Sequence, residues 1–316
     1  DLPESMENDM DSLYWDWQSK NLISPDPTCR TTAAGPAVSD SVYIDRLSRI
    51  PSLMEMPFNE TVKKSIESYT NRLRNKVSYM LAASNFYMPI IEEALEAYDL
   101  PMELKYLPIV ESALNPKALS RRRASGLWQF MQTTGREYGL EVNKNIDERY
   151  HVEKSTVAAC KYIKAAYKKY NDWIAVAAAY NGGQARIIGQ MQKQQIDDTL
   201  DLYLVEETAR YVYRIIAAKI MFSNPAAFGF RLRASDLYMQ VPYKEVTVKT
   251  GITDLAAWAK KQGTTYALLK NLNPWLRDNF LQNVSGRTYI IKVPIQEKMH
   301  YKANAIVPHD KRWVVQ

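Results

Sequence analysis

As far as about residue 222, apolar residues recur at three- and four-residue spacing; after Asn224 and Pro225 they begin to alternate. The most apolar stretch is 102–115, MELKYLPIVESALN, where Leu104, Tyr106, Leu107, Ile109, Val110, Ala113 and Leu114 leave almost no polar face. A helix apolar nearly all round is buried in a bundle, since a surface helix keeps a single apolar stripe. Glu111 lies in the middle of it, on the face of Leu104, Leu107 and Pro108. A desolvated carboxylate favours its neutral form, so Glu111 is paired, strained or functional.

The same spacing predicts helices over 59–83, with Asn59 as N-cap, and over 87–98, with Ile90, Ile91, Ala94, Leu95 and Tyr98 on one face. Pro101 restarts the chain into the Glu111 helix. A loop of Ser and Arg, 117–124, leads to a short helical segment at 125–131. A long amphipathic helix follows over 147–170, its polar stripe carrying Lys154, Lys161, Lys164 and Lys168. The small-residue helix 173–180 stops at Asn181-Gly182-Gly183, and a last long helix covers 200–222. Nothing up to this point reads as a strand, so the body is all-α. Beyond it, 243–249 and 288–293 alternate as strands around helical segments 253–261 and 265–272, a small βααβ unit. The predicted divisions are an extension at 1–40 that packs by Tyr14, Trp15 and Trp17, a helical domain at 41–233, the βααβ domain at 234–300, and a tail at 301–316.

Composition narrows the class. Of 316 residues, 46% are hydrophobic and 24% charged, the profile of a globular protein with a real core. No apolar run approaches the roughly 18 residues of a membrane span, and no signal peptide follows Asp1, so export would rely on a segment outside this sequence. The net charge of +6 is mild; it suits a solvated surface or an anionic polymer. Arg121, Arg122 and Arg123 are too short a run to argue for nucleic acid. His151, His300 and His309 have no ligand-like spacing, so no metal is expected. Cys160 falls on an inner helical stripe and reads as a buried thiol; Cys29 lies in a loop, and nothing supports their pairing.

Four stretches then align in order: Glu111-Ser112, Gly126 to Met131 (GLWQFM), Ala179 to Gly183 (AYNGG), and Glu207-Thr208 with Tyr211-Val212. Each is weak alone. Together, with Asn115-Pro116 between the first two, the set resembles the four-motif signature of lytic transglycosylases of the goose-type lysozyme-like superfamily, over about residues 87–222. Gly182-Gly183 stands where such enzymes often have Ser-Gly or Ala-Gly, an exchange among small residues.

The resemblance implies a lysozyme-like all-α domain that cleaves the glycan strands of peptidoglycan without a cofactor, with Glu111 as single acid and base. It implies that Ser125, Gly126 and Gln129 line the cleft around an N-acetyl group and that Met131 forms an apolar wall. Tyr180 and Asn181 would orient Glu111 and the saccharide, and Glu207 with Tyr211 would close the site. Trp128, Phe130 and Val212 read better as core than as site, and Ser112 has no clear chemical role. Glu207 has a second reading, as a carboxylate at a helix start. Glu137, Asp147, Glu148 and Asp172 lie in polar stretches that look like solvated surface, which leaves Glu111 as the one good acid.

A glutamate on a buried helix is expected to titrate high, as a general acid requires. The implied product is a 1,6-anhydro-MurNAc end; hydrolysis on the same scaffold, or wall binding without catalysis, are the alternatives. The βααβ domain resembles a lysin motif in which Gly251 and Leu255 stand one residue too far apart while Leu269 and Asn273 keep their spacing. It reads as a glycan-binding module, or as a spacer or docking module. The expected partner is peptidoglycan, not nucleic acid, for a monomer in the periplasm or cell envelope; membrane attachment would need a segment outside this chain.

Overall fold

The computed structural model describes residues 39–41, 43, 44, 60–195, 206–239, 241–284, 286–295, 298 and 306–314, with the side chains of 71, 72 and 206–210 left aside. Asn59, Cys29 and nearly all of the 1–40 extension lie outside these residues.

The helical body comprises α1 (Glu60–Glu67), a π-helical turn (Ser68–Arg72), α2 (Arg74–Ala97), a 3-10 turn (Met102–Tyr106), α3 (Leu107–Ser112), α4 (Gln132–Glu137), α5 (Val152–Tyr170), α6 (Trp173–Gly182), α7 (Gln184–Gln194) and α8 (Glu206–Ser223). α6 is the hub. Ala175, Ala177, Ala178 and Ala179 are wholly buried, and side chains this small let α5, α7 and α8 all pack against it. Around it Leu81, Met88, Leu104, Leu107, Trp128, Ile163 and Phe222 fill one continuous core.

Three local expectations give way. The helices predicted over 59–83 and 87–98 divide elsewhere: α2 runs unbroken through Ser84 and Asn85. Asn85 does not end the helix because tertiary partners take its amide, Nδ2 donating to Tyr238 O at 3.0 Å and Oδ1 accepting from His309 N at 2.7 Å. The 102–115 helix is broken into the 3-10 turn and the short α3. Pro108 has no N–H for an α-type ladder, so the turn before it closes through shorter bonds, Leu104 N to Pro101 O at 3.1 Å and Leu107 N to Leu104 O. Residues 125–131 are not helical. Ser125 N and Phe130 O pair at 3.0 Å, Phe130 N and Ser125 O at 3.2 Å, around a loop whose Gly126 and Gln129 sit at φ +80 and +50.

The βααβ unit forms as read: β1 (Tyr243–Val248), α9 (Leu255–Lys261), α10 (Tyr266–Leu272) and β2 (Tyr289–Pro294), the strands antiparallel with Val246 opposite Ile291. Asp254 and Thr265 cap the two helices, accepting from Ala256 N at 2.8 Å and from Leu268 N at 3.2 Å. Its core of Leu255, Leu269, Trp275, Leu281, Ile291 and Val293 is completed by Ile146 and Tyr150 of the helical body. The seam is bonded through the backbone as well. Asp147 N donates to Trp275 O and Arg277 N to Asn145 O, each at 2.9 Å, while the Asn145 amide spans Phe280 O and Gln282 N.

The stretch expected to be a tail returns to the helical body. Trp313 is 3% exposed and donates from Nε1 to Phe222 O at 3.2 Å; Leu232 pairs with Val314. Residues 234–239 do the same from the other side, Tyr238 N donating to Ala82 O at 3.0 Å. The βααβ unit is therefore an excursion from that body, and its ends meet where Ile295 N donates to Pro242 O at 2.8 Å.

Candidate active site

α3 ends abruptly, and that ending sets the site. Ala113 and Leu114 both take left-handed backbone, φ 52 and 60, which costs a side chain of L configuration and turns the chain sharply after Glu111-Ser112. Arg123 (φ 62) and Gln129 (φ 50) share this conformation in the loop that follows. Four of the seven such non-glycine residues among those described therefore flank one place, and strain concentrates where surrounding structure enforces a geometry.

Glu111 is half-buried there. Tyr211 of α8 donates its hydroxyl to Glu111 Oε1 at 2.6 Å. Burial pushes the Glu111 carboxyl up to about 7, against the opposing pull of the Tyr211 hydrogen bond and of the Arg214 charge. Tyr211 and Tyr180 are in turn raised well above 10, burial first and the neighbouring Glu111 charge second. Tyr69, in the π-helical turn, is pushed up to about 12 by burial, with Arg214 opposing, and it acts on Tyr211 in the same way. The result is one carboxyl group titrating near neutrality among phenols that stay protonated.

The second motif forms a wall tied to this centre. Ser112 Oγ lies 3.0 Å from Pro108 O and 2.8 Å from Leu127 O, so its hydroxyl joins the Glu111 helix to the 125–131 loop. Tyr180 OH donates to Trp128 O at 2.8 Å and fixes the other side of the loop. Behind it, Trp128 and Phe130 are core, their rings packed around Tyr180, and Trp128 Nε1 donates to Thr156 Oγ1 at 2.9 Å. Val212 is buried likewise. A β-carbon on Gly126 would stand 1.9 Å from Arg149 O, so no other residue fits without moving backbone.

The predicted binding residues separate by position. Tyr211 bonds Glu111, Tyr180 feels the Glu111 charge while its hydroxyl goes to Trp128 O, and Asn181 is exposed at the end of α6. Met131 is 46% exposed beside the loop. Ser125 has no accessible surface and turns its hydroxyl onto Arg123 O, which places that side chain inside the loop. Gln129 points inward too, its Nε2 donating to Gly126 O at 2.8 Å and to Ala118 O at 3.3 Å. Glu207 lies at the start of α8, and its side chain is outside the described residues.

The remaining carboxylates correct one expectation. Asp147 and Glu148, read as solvated, are buried. Asp147 grips Arg149 through both oxygens, at 2.9 and 2.7 Å, and Arg149 reaches on to Arg123 O and Phe130 O. Glu148 accepts from Glu141 N at 2.8 Å and pairs with Lys154. Both are buried because each is satisfied within a network that supports the loop. Asp172 caps α6, and Glu137 is exposed.

Sequence reading missed Arg214, Tyr69 and Arg149. Arg214 carried a signal, since it stands three residues after Tyr211 on one helix face. Tyr69 carried none.

No group of three or more His, Cys, Asp or Glu among the described residues is placed to hold a metal ion. Cys160 is buried, and burial pushes its thiol up to about 12. Apart from the Glu111 cluster, an open groove of about 500 Å³ lies in the βααβ unit, lined by Val246, Lys249, Thr250, Asp254 and Trp258 among others.

Residues 88–202 match the transglycosylase SLT domain, and residues 244–297 match the soluble lytic transglycosylase C-terminal LysM-like domain. The chain is homologous to membrane-bound lytic murein transglycosylase D of Escherichia coli (strain K12), 31% identical over 246 residues, which is 75% of this chain and 53% of that protein. It thus spans about half the length of that relative. Among solved structures, it is similar to the 70 kDa soluble lytic transglycosylase SLT70 of Escherichia coli, with a TM-score of 0.38 and 20% identity over 46% of this chain and 25% of that one. A lytic transglycosylase Slt from Pseudomonas aeruginosa gives a TM-score of 0.38 and 15% identity over 76% of this chain and 50% of its own.

Proposed function

We propose, for a chain that carries an SLT transglycosylase domain and a LysM-like domain, that it cleaves the β-1,4 bond between MurNAc and GlcNAc in peptidoglycan and leaves 1,6-anhydro-MurNAc ends. The observation that carries this reading is the carboxyl group of Glu111, bonded by the Tyr211 hydroxyl and pushed up to about 7 by burial, with no second carboxylate among the causes of that shift in the described residues. Hydrolytic glycosidases usually need a second carboxylate to activate water or attack the sugar. With Glu111 the one carboxylate at this centre among the described residues, the substrate's own C6 hydroxyl serves as nucleophile, and an intramolecular attack has a large effective-molarity advantage.

Protonated Glu111 gives its proton to the glycosidic oxygen as the bond to C1 breaks. The carboxylate left behind accepts the C6 hydroxyl proton as O6 closes on C1. The proton returns to Glu111 and no water is consumed. A group serving both steps works best with a pKa near the working pH, and burial supplies that here. The LysM-like groove beside β1 supports glycan binding by the second domain. This substrate places the protein in the periplasm or cell envelope; no helix among the described residues is long and apolar enough to cross a membrane.

Products decide the matter. Digested sacculi should release fragments one water lighter than hydrolysed ones, with muramyl ends that borohydride does not reduce. Mainly reducible ends would make the protein a lysozyme-like hydrolase.

The pH profile offers a second test. Activity needs Glu111 protonated, so kcat/KM should fall as pH rises through about 7. The Arg214 charge favours the ionised carboxylate, so removing it stabilises the acid form. Arg214→Gln should move the alkaline limb to higher pH, and Arg214→Lys should leave it near its original position. A limb that stays fixed in Arg214→Gln rules out Arg214 as a modulator of Glu111.

A further inference from the structure

A buried ion pair lies along the Glu111 segment, away from the carboxyl itself. Glu103, in the 3-10 turn that feeds α3, and Lys219 of α8 are 7% and 5% exposed, and Lys219 Nζ donates to Glu103 Oε1 at 2.7 Å. Burial pushes the Lys219 ammonium down, the hydrogen bond and charge of Glu103 oppose it, and Lys105 adds to the burial effect. Desolvating two charges often costs more than their attraction returns, and apolar side chains of like volume serve stability as well or better. The best-attested use of such a pair is to fix register.

Its position gives that register a purpose. α8 packs against both the 3-10 turn and α3. Lys219 to Glu103 is one polar link between them, and Tyr211 to Glu111, at 2.6 Å, is another. Glu103 precedes Glu111 by eight residues and Lys219 follows Tyr211 by eight, so the elements run antiparallel with the links at matched steps. Buried side chains between the links along the two elements, Leu104, Leu107, Ile215 and Ala218 among them, are aliphatic. Apolar burial is non-directional and holds the elements together without fixing their register sharply. A slide of one turn, about 5.4 Å, would carry Tyr211 out of reach of Glu111. The ion pair opposes that slide, because sliding would leave two buried charges apart.

We infer that Glu103 and Lys219 are positioning residues for the cleavage: their ion pair sets α8 in register with the Glu111 segment and so keeps the Tyr211 hydroxyl on the carboxyl. This rests on Glu111 being the acid of that cleavage. Both residues act through Tyr211. The Tyr211 hydrogen bond favours the ionised form of Glu111 and works against burial. Weakening that bond makes Glu111 titrate at higher pH. A pair that served stability alone would leave the titration where it is.

The test replaces the pair with apolar side chains of similar volume, Glu103→Leu with Lys219→Met, in the full chain. Carboxyl-carbon NMR follows the Glu111 titration, its signal assigned by loss in Glu111→Gln, beside pH profiles of kcat and KM on soluble glycan fragments. The variant should melt cooperatively, with the Glu111 midpoint and the alkaline limb both moved to higher pH. On the acid side of the limb kcat should fall about tenfold with KM nearly unchanged, as for a misplaced catalytic group. With Tyr211→Phe the bond is already gone, so adding the apolar pair should move the midpoint no further. An unmoved midpoint in the folded variant overturns the inference, and so does an equal shift with and without the Tyr211 hydroxyl. Should the apolar pair not fold, Glu103→Asp keeps both charges and shortens the link by one methylene. It should raise the midpoint as well, and an unmoved midpoint there overturns the register role. A midpoint that moves while the limb does not would instead refute Glu111 as the acid and leave the register role standing.

Discussion

Glu111→Gln should lower glycan cleavage by about 10²- to 10⁴-fold, the usual worth of general acid–base catalysis, while making the protein more stable at alkaline pH. Glutamine keeps the size of the side chain and can still accept the Tyr211 hydroxyl, now 2.6 Å from Oε1, but it has no proton to give. The stability gain follows from the raised pKa. Glu111 holds its proton more tightly in the fold, at about 7, than in the unfolded chain, near its ordinary 4.5. Between those values stability falls as pH rises, and above about 7 the full cost of ionising a desolvated carboxylate is present. Allowing for the partial exposure of the group, that cost is on the order of 1–3 kcal/mol. The substitution removes it, so melting at pH 8 should occur several degrees higher than in the parent, with the difference gone below about pH 4.5. Release of soluble fragments from sacculi and melting curves at the two pH values measure both effects. Near-full turnover would remove Glu111 from the mechanism. Equal melting at pH 8 would mean that the carboxylate is not strained at all.

The centre of this site was legible because its residues are anomalies against their own local pattern. Glu111 is a charge in an apolar helix, and Tyr180 and Tyr211 belong to motifs recognised in fixed order. Which residues of a motif face the cleft was less legible. Ser125 and Gln129 turn inward because Gly126 and Gln129 take left-handed backbone and fold the loop on itself, a property of φ angles that no spacing rule carries. Asp147 and Glu148 misled for another reason. Polar residues in a polar stretch look solvated until their partners, Arg149 and Lys154, are seen to bury them.

The βααβ unit was legible for the opposite reason, being local: alternating strands, an aspartate and a threonine at helix starts, and glycine and asparagine between them. Its attachment was not. Ile146 and Tyr150 lie more than a hundred residues from Trp275 and Leu276, and apolar side chains show where they are buried, not against what. Likewise Trp313 in a short polar terminus has no periodicity to announce that it enters a core of helices.

This attachment changes what a truncation should do. All four motifs lie upstream of Asn224, which invites a cut near Arg233 to isolate an active domain. Such a cut removes Leu237, Tyr238, Ile306 and Trp313 from the helical core and strips Asn85 of both its partners. At about 1.5–3 kcal/mol for each large buried side chain, the loss is on the order of 10 kcal/mol. A domain has only about 5–15 kcal/mol to lose, so the truncated chain should show no cooperative melting. Excising 243–294 is a gentler operation, because Pro242 and Ile295 already meet at 2.8 Å and a short Gly/Ser link can join them. That variant keeps 234–239 and 306–314 on the body and should fold. It leaves Ile146 and Tyr150 uncovered and the Asn145 amide without Phe280 and Gln282, and the adjoining Arg149 holds the wall at Arg123 and Phe130. Cleavage of small soluble fragments should therefore drop about tenfold or more with the fold retained, since misplacing a substrate-positioning element by an ångström carries a penalty of that kind. Thermal melts followed by far-UV circular dichroism, beside turnover of the same fragments, separate the two variants. A cut at Arg233 that melts as cooperatively as the full chain would show that the C-terminal segments lie on the core without supporting it, and an excision variant with full activity would free the wall from the seam.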